Sequence, residues 1–320
     1  LKNFIDMAIS NKEIKTTRKG YTDVDMLFSS IFYETRPFFV LSILNPILAA
    51  VLALGYVPDI VSLQAWFIAL GFLSYALMES GSNIWNNLND IEEDAVSKPT
   101  TLQVAGRLPP SIALKASFTF YTLGLLLALY FTLRINRPWA LIGYLIYMVL
   151  SFLYSDRRYT NVRLKARWWA GPGAIGVGFA ALSYSLYEIF KDIDITGWGI
   201  VVITFLTYLY MGAVKDFRDI EGDRKAGNIT PASVNPWGTM VISLFVAWLA
   251  LAVQLVLAFL GYFPLIPSLV SSVCWVRVAK LTLEGRRALE DGITMMKSFM
   301  DLKVFYPLLF ILVMWLMQLI

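Results

Sequence analysis

Long apolar runs separated by short polar stretches set the rhythm of this chain. The runs cover 38–57, 63–88, 111–133, 138–155, 168–190, 195–215, 237–260, 264–282 and 303–320, each with few charges. About 20 such residues in a helix cross the hydrocarbon core of a bilayer, and only helices or closed barrels satisfy their backbone there. The pattern therefore predicts an all-α, polytopic, multi-pass membrane protein with nine transmembrane helices. Residues 1 to 25 are polar and mixed in charge. Met26, Leu27, Ile31 and Phe32 then form a short amphipathic stretch before Arg36-Pro37, so residues 1–37 are expected to be a cytoplasmic tail and an interfacial helix. No apolar core of a signal peptide precedes them, and insertion is expected to begin with the first span.

Composition sharpens this. Of the 320 residues, 58% are hydrophobic and only 16% charged, with a mean hydropathy of +0.62. A soluble domain carries roughly 25% charged residues. No shift in composition marks a boundary, so 1–320 is expected to be a single domain. The one cysteine, Cys274, lies in an apolar run and allows no internal disulfide; a packed role is expected. Histidine is absent, which leaves carboxylates, Tyr, Lys and Arg to carry any chemistry.

Charge sets the expected orientation. With the amino-terminal tail in the cytoplasm, 24 of the 27 Lys and Arg residues fall on that side, and only Arg134, Arg137 and Lys191 on the other. Such a bias follows the positive-inside rule. The net charge of +4 then reports topology and not nucleic-acid binding.

Two acidic motifs follow apolar runs and end on that cytoplasmic side. In the first, Asn86-Asn87-Leu88-Asn89-Asp90-Ile91-Glu92-Glu93-Asp94, residues Asn86, Asp90 and Asp94 would fan over roughly 80° of a helix face and climb roughly 12 Å. In the second, Lys215-Asp216-Phe217-Arg218-Asp219-Ile220-Glu221-Gly222-Asp223, the spacing predicts one face for Asp216, Asp219 and Asp223. Carboxylates stacked so closely repel one another unless divalent cations and an anionic ligand sit among them. Lys98 and Arg107 follow the first motif and Arg224-Lys225 the second, supplying cations for phosphate oxygens. A solvated loop beside a membrane would explain one such motif, but it explains two in matching order poorly. Glu79, two turns before Asn86 on nearly the same face, is a carboxyl within a span and so a candidate acceptor-binding or proton-accepting group; a helix contact is its bland alternative. Asn45, in mid-span, is expected to bond another helix.

These residues carry a resemblance. Asn86-x-x-x-Asp90-x-x-x-Asp94 with Lys98-Pro99 and Gly106-Arg107, then Lys215-Asp216-x-x-Asp219-x-x-Gly222-Asp223, is similar to the paired motifs of the UbiA-type intramembrane prenyltransferase family. Arg36-Pro37, Tyr154-Ser155 and Arg163-Leu164-Lys165 fit it too. The resemblance implies nine helices around a central cavity and transfer of an isoprenyl group from its diphosphate to a small aromatic or lipid acceptor within the membrane. It implies Mg2+, two ions, held by Asn86, Asp90, Asp94, Asp219 and Asp223. It also implies a substrate site of Asn86, Lys98, Arg107, Tyr154, Arg163, Lys165, Lys215 and Asp216. The chain departs from the family in two places. Many members have a second Arg-Pro where Thr101-Leu102 stands here, and Pro-Pro where Asp156-Arg157-Arg158-Tyr159-Thr160-Asn161 stands. Both lie where head groups would sit, which points to an unusual acceptor.

The residues suit that reaction. An allylic diphosphate ionises when its leaving group is neutralised, which metal ions and basic side chains do without a proton donor. Trp85, Tyr154, Tyr208 and Tyr210 are near the motifs in sequence and could face an allylic cation, although packing explains each as well. Within the same fold, a terpene cyclase that binds no acceptor is the alternative. An ion transporter would need polar groups across the whole bilayer rather than on one side. A CDP-alcohol phosphotransferase would need Asp-Gly-x-x-Ala-Arg, which this sequence lacks.

Overall fold

The computed structural model describes residues 30–31, 35, 41–91, 108–218, 220–225, 227–285, 287 and 297–320. Among them the architecture is all-helical, apart from a single bridge between Arg167 and Ile229. The helices are α1 (Leu44–Leu54), α2 (Leu63–Asn89), α3 (Pro110–Arg134), α4 (Leu141–Ser155), α5 (Ala170–Glu188) and α6 (Ile195–Val214). Two short helices follow, α7 (Ile220–Lys225) and α8 (Pro231–Val234), and then α9 (Pro236–Phe259). The chain closes with α10 (Leu265–Ser271), α11 (Val276–Glu284) and α12 (Tyr306–Gln318).

Among the described residues, six helical stretches are long and apolar enough to cross a membrane: Pro110–Arg134, Pro138–Ser155, Ile195–Lys215, Pro236–Phe259, Leu265–Glu284 and Lys297–Gln318. The other three expected spans are helical as well. Leu41–Leu54 is apolar but short. Helix α2 runs 27 residues with Glu79 and four asparagines in its last half, and α5 is a 19-residue helix rich in Gly and Ser. The interfacial helix expected before residue 38 lies almost wholly outside the described residues.

Small residues let the helices approach, as lipid offers no hydrophobic drive to hold them together. Where α2 meets α3, Ser74 Oγ donates to the Gly124 carbonyl at 2.7 Å and Ser117 Oγ to the Gly81 carbonyl at 2.8 Å. The residue numbers run in opposite senses, so the pair is antiparallel. Helices α4 and α5 pack closer still, since a Cβ on Gly143 would lie 1.9 Å from the Ala181 carbonyl oxygen. Helices α5 and α6 are joined by Ser183 Oγ to Thr204 Oγ1 at 3.0 Å. Asn45 does bond another helix, its amide donating to the Leu302 carbonyl at 3.3 Å. That carbonyl belongs to a π-turn, Asp301–Phe305, which leads into α12.

Two expectations about elements change. The last helix is already under way at 297, not 303, because Asp301 pairs with Arg277 and Lys303 is buried, so neither charge marks a boundary. The second motif is not one helix face. Helix α6 ends at Val214, Lys215–Arg218 is a 3-10 turn, and Asp223 sits on α7.

Candidate active site

A cavity of about 180 Å³ opens between α2, α4, α5 and α6. Glu79, Asn83 and Asn86 line it from α2, and Tyr147, Ser151 and Tyr154 from α4. Gly178 and Phe179 of α5 and Tyr208 and Met211 of α6 complete much of the wall, with Lys215 just beyond α6. The ring of Phe179 stacks on Tyr208, centroids 3.9 Å apart and 14° between planes. Aromatic rings from α4, α5 and α6 thus share the wall with small and aliphatic residues, and polar groups stand at intervals along α2.

Glu79 is 8% exposed and engaged on both oxygens. Oε1 accepts from Asn83 Nδ2 at 3.2 Å and Oε2 accepts from the Tyr147 hydroxyl. Asn83 also donates to the Thr35 carbonyl at 3.2 Å, which fixes its amide.

The first motif lies two turns further along α2. Helix α2 ends at Asn89 with Asp90 as its C-cap, and Asp94 of the expected ridge lies outside the described residues. Ser155 Oγ donates to Asn86 Oδ1 at 2.5 Å. The Lys165 ammonium reaches Asn86 Oδ1 at 3.3 Å and both carboxylate oxygens of Asp90. Arg163 Nη2 lies 3.7 Å from Asp90 Oδ1.

Arg163 also ties the first motif to the second. Its Nη1 donates to Asn228 Oδ1 at 3.0 Å, and Asn228 Nδ2 donates to Asp223 Oδ1 at 3.1 Å. The Thr230 hydroxyl holds the other Asp223 oxygen at 3.1 Å. A chain of side chains, Asp90, Arg163, Asn228 and Asp223, therefore joins residues far apart in sequence. Lys215 donates to the Tyr154 hydroxyl, with its ammonium 4.9 Å from the centre of that ring. Asp216 is half-buried beside it.

The segment from 156 to 169 carries Arg163 and Lys165, and local chemistry shapes it. Asp156 accepts from the backbone N–H of Arg158, Tyr159 and Thr160 and from the Thr160 hydroxyl, at 2.6 to 3.1 Å. Burial alone would raise its carboxyl; the four donors outweigh that and hold it below the usual carboxylate range. Asn161, Arg163 and Trp168 take positive φ of 54°, 43° and 41°, which costs on the order of 1 kcal/mol each. The strain is held by pairing with the chain beyond α7: Trp168 N–H donates to Ile229 O, and Ile229 N–H to Ala166 O at 3.3 Å.

Of the expected site residues, Glu79, Asn86, Asp90, Tyr154, Arg163, Lys165, Lys215, Asp216 and Asp223 are described, and those linked above form one neighbourhood. Asp94, Lys98, Arg107 and Asp219 lie outside the described residues. Tyr154 and Tyr208 line the cavity, whereas Trp85 stacks on Phe152 and Tyr210 bonds Ser298. Sequence reasoning missed Tyr147, Phe179 and the linking role of Asn228. Only the i, i+5 spacing of Asp223 and Asn228 could have hinted at the last. Among the described residues no three acidic, Cys or His side chains cluster as a metal cage. The oxygens of Asn86, Asp90 and Asp223 are nonetheless the hard donors that suit magnesium.

Known proteins resemble this chain in sequence and in fold. A somaliensene A/B synthase from Streptomyces somaliensis is 29% identical over 172 residues, 51% of this chain and 50% of that protein. A digeranylgeranylglyceryl phosphate synthase from Thermococcus gammatolerans is 28% identical over 184 residues, 57% of this chain and 59% of that one. The chain thus spans about half to three fifths of the length of these curated relatives. A UbiA homologue from Archaeoglobus fulgidus, solved with GPP and Mg2+, has the same fold at a TM-score of 0.64 and 18% identity, covering 88% of this chain and 99% of that one. Residues 43–300 match the model of the UbiA prenyltransferase family, and the chain belongs to that family.

Proposed function

We propose that this protein is a magnesium-dependent prenyltransferase that moves an isoprenyl group from its diphosphate to a small aromatic or lipid acceptor within the membrane. The observation that carries this is the link from Asp90 through Arg163 and Asn228 to Asp223 beside an aromatic cavity. Asn86, Asp90 and Asp223, with Asp94 and Asp219 from the sequence, would hold two magnesium ions. Bound there, magnesium supplies charge neutralisation for the diphosphate leaving group. Lys215, Lys165 and Arg163 contact phosphate oxygens, together with Lys98 and Arg107 and near Asp216. Tyr154, Phe179 and Tyr208 present ring faces to the allylic carbon and keep water from it. Glu79, about 10 Å deeper along α2, faces the acceptor and takes its proton.

The aromatic rings of the cavity also suit a cyclase, which forms its product from the diphosphate with no acceptor. Purified protein given labelled prenyl diphosphates of graded length and an acceptor panel distinguishes the two by product mass. Asp90→Ala should abolish turnover, a loss of about 3 kcal/mol or more in transition-state stabilisation. Full activity in that variant, or in excess chelator, would refute the reading.

Nine spans with both motifs at the cytoplasmic face complete the proposal, resting on the distribution of Lys and Arg. Cysteines placed at Ser97 and Asn228 in a Cys274→Ala background should react with an impermeant thiol reagent from the cytoplasmic side alone. Labelling of the two positions from opposite sides would remove the shared site.

A further inference from the structure

The Lys165 ammonium rests against both carboxylate oxygens of Asp90 and the amide oxygen of Asn86. These are the oxygens the first motif would offer a divalent cation. The ammonium takes up a lone pair on each Asp90 oxygen, and magnesium bound to those that remain would sit close to it and be repelled. Its side chain is only 14% exposed, and that of Asp90 10%, so water screens the pair weakly. Lys165 is also not loosely tethered. It sits two residues after Arg163, in the segment braced by Asp156 and by the bridge to Ile229.

We propose that Lys165 is a specificity-determining residue that weakens binding of free divalent cations at the first motif and favours their binding together with a diphosphate. This rests on the function proposed above. Magnesium arriving alone would sit beside the ammonium without bringing an anion to offset the repulsion. Magnesium arriving with a diphosphate brings phosphate oxygens to which Lys165 can turn, so one contact is exchanged for another. Arg163, 3.7 Å from Asp90 and bonded to Asn228, turns in the same way without losing its place between the motifs. Ion and diphosphate then bind with strong positive linkage, and each raises the affinity of the other by the same factor.

Calorimetric titration of the full-length protein in detergent tests this, using Mg2+ alone and Mg2+ with saturating geranyl diphosphate, with complexation in solution subtracted. In the wild type, geranyl diphosphate should tighten Mg2+ binding about a hundredfold or more. Lys165→Met removes the charge at similar length; it should bind Mg2+ alone at least about tenfold more tightly than the wild type and lose most of the linkage. Lys165→Arg should keep the linkage. Equal or weaker binding of Mg2+ alone by Lys165→Met overturns the proposal while leaving the prenyltransferase reading intact. Linkage below about threefold in the wild type overturns it without need of any variant. A wild type that binds neither Mg2+ nor geranyl diphosphate overturns both.

Discussion

Replacing Glu79 by Gln separates chemistry from packing, because the amide keeps the shape of the site and loses only the charge. Asn83 cannot turn its amide, since the nitrogen that donates to Glu79 also donates to the Thr35 carbonyl at 3.2 Å. Gln must therefore point its oxygen at Asn83 and its NH2 at Tyr147. The Tyr147 hydroxyl, now a donor to Glu79, can accept instead. Both contacts survive, so the expected loss of stability is about 1 kcal/mol, a few degrees at most in the unfolding midpoint. The rate should respond far more. Loss of a general base costs about 10²- to 10⁴-fold, or about 2.7 to 5.5 kcal/mol in the barrier. The measurement is turnover number at saturating prenyl diphosphate, with the acceptor that the panel identifies, beside a thermal unfolding curve of the same preparation. Diphosphate affinity and magnesium dependence should not move. An unchanged turnover number with a lowered midpoint would make Glu79 a helix contact and end its role in transfer.

Two further predictions concern the scaffold. Gly143→Ala should force α4 from α5, since its Cβ would meet the Ala181 carbonyl at 1.9 Å, and should destabilise by about 1 to 3 kcal/mol or more, whereas Gly173→Ala, with nothing within 4 Å, should be neutral by thermal unfolding. Asp194 caps α6 through the Gly197 N–H and bonds Tyr187 and Lys191; burial would raise its carboxyl, but these partners hold it down to about 2. Its folded value lies below its unfolded one, so its stabilisation is full above about pH 4 and fades as pH falls toward 2. Asp194→Asn should accordingly lower the unfolding midpoint at pH 7 by an amount worth about 1 kcal/mol, with the gap to wild type closing as pH falls below 4; a gap constant across that range would count against the ionised cap.

The spans were legible because a bilayer demands long apolar runs: 138–155 and 195–215 match the observed helical stretches at both ends. The last helix was placed late because a buried Lys303 and an ion-paired Asp301 look from sequence like a water-facing edge. In the candidate site, carboxylate spacing within each motif drew attention to Asp90 and Asp223, which the fold brings into one neighbourhood through Arg163 and Asn228. Partners were not legible. Asn228 reaches Arg163 only after the chain folds back across α5 and α6, and no spacing encodes that return. Tyr147 was hidden among many aromatics on α4, whose apolar pattern does not say which ring turns toward Glu79. Lys165 was expected on phosphate, and its contacts with Asp90 and Asn86 follow from the turn that Asp156 builds.

The pairing of Arg167 with Ile229 also has a consequence for how the protein is made. The loop after α4 leaves the ribosome well before Ile229, with roughly 60 residues, including α5, α6 and α7, between them. At about 5 to 20 residues per second, several seconds pass before Ile229 exists to hold Trp168 and Ala166. Throughout that interval the left-handed turns at Arg163 and Trp168 lack their brace, and α2 already stands in the membrane with an acidic end. The nascent chain thus passes through a stage in which the helices before the loop are made but the site is not yet built.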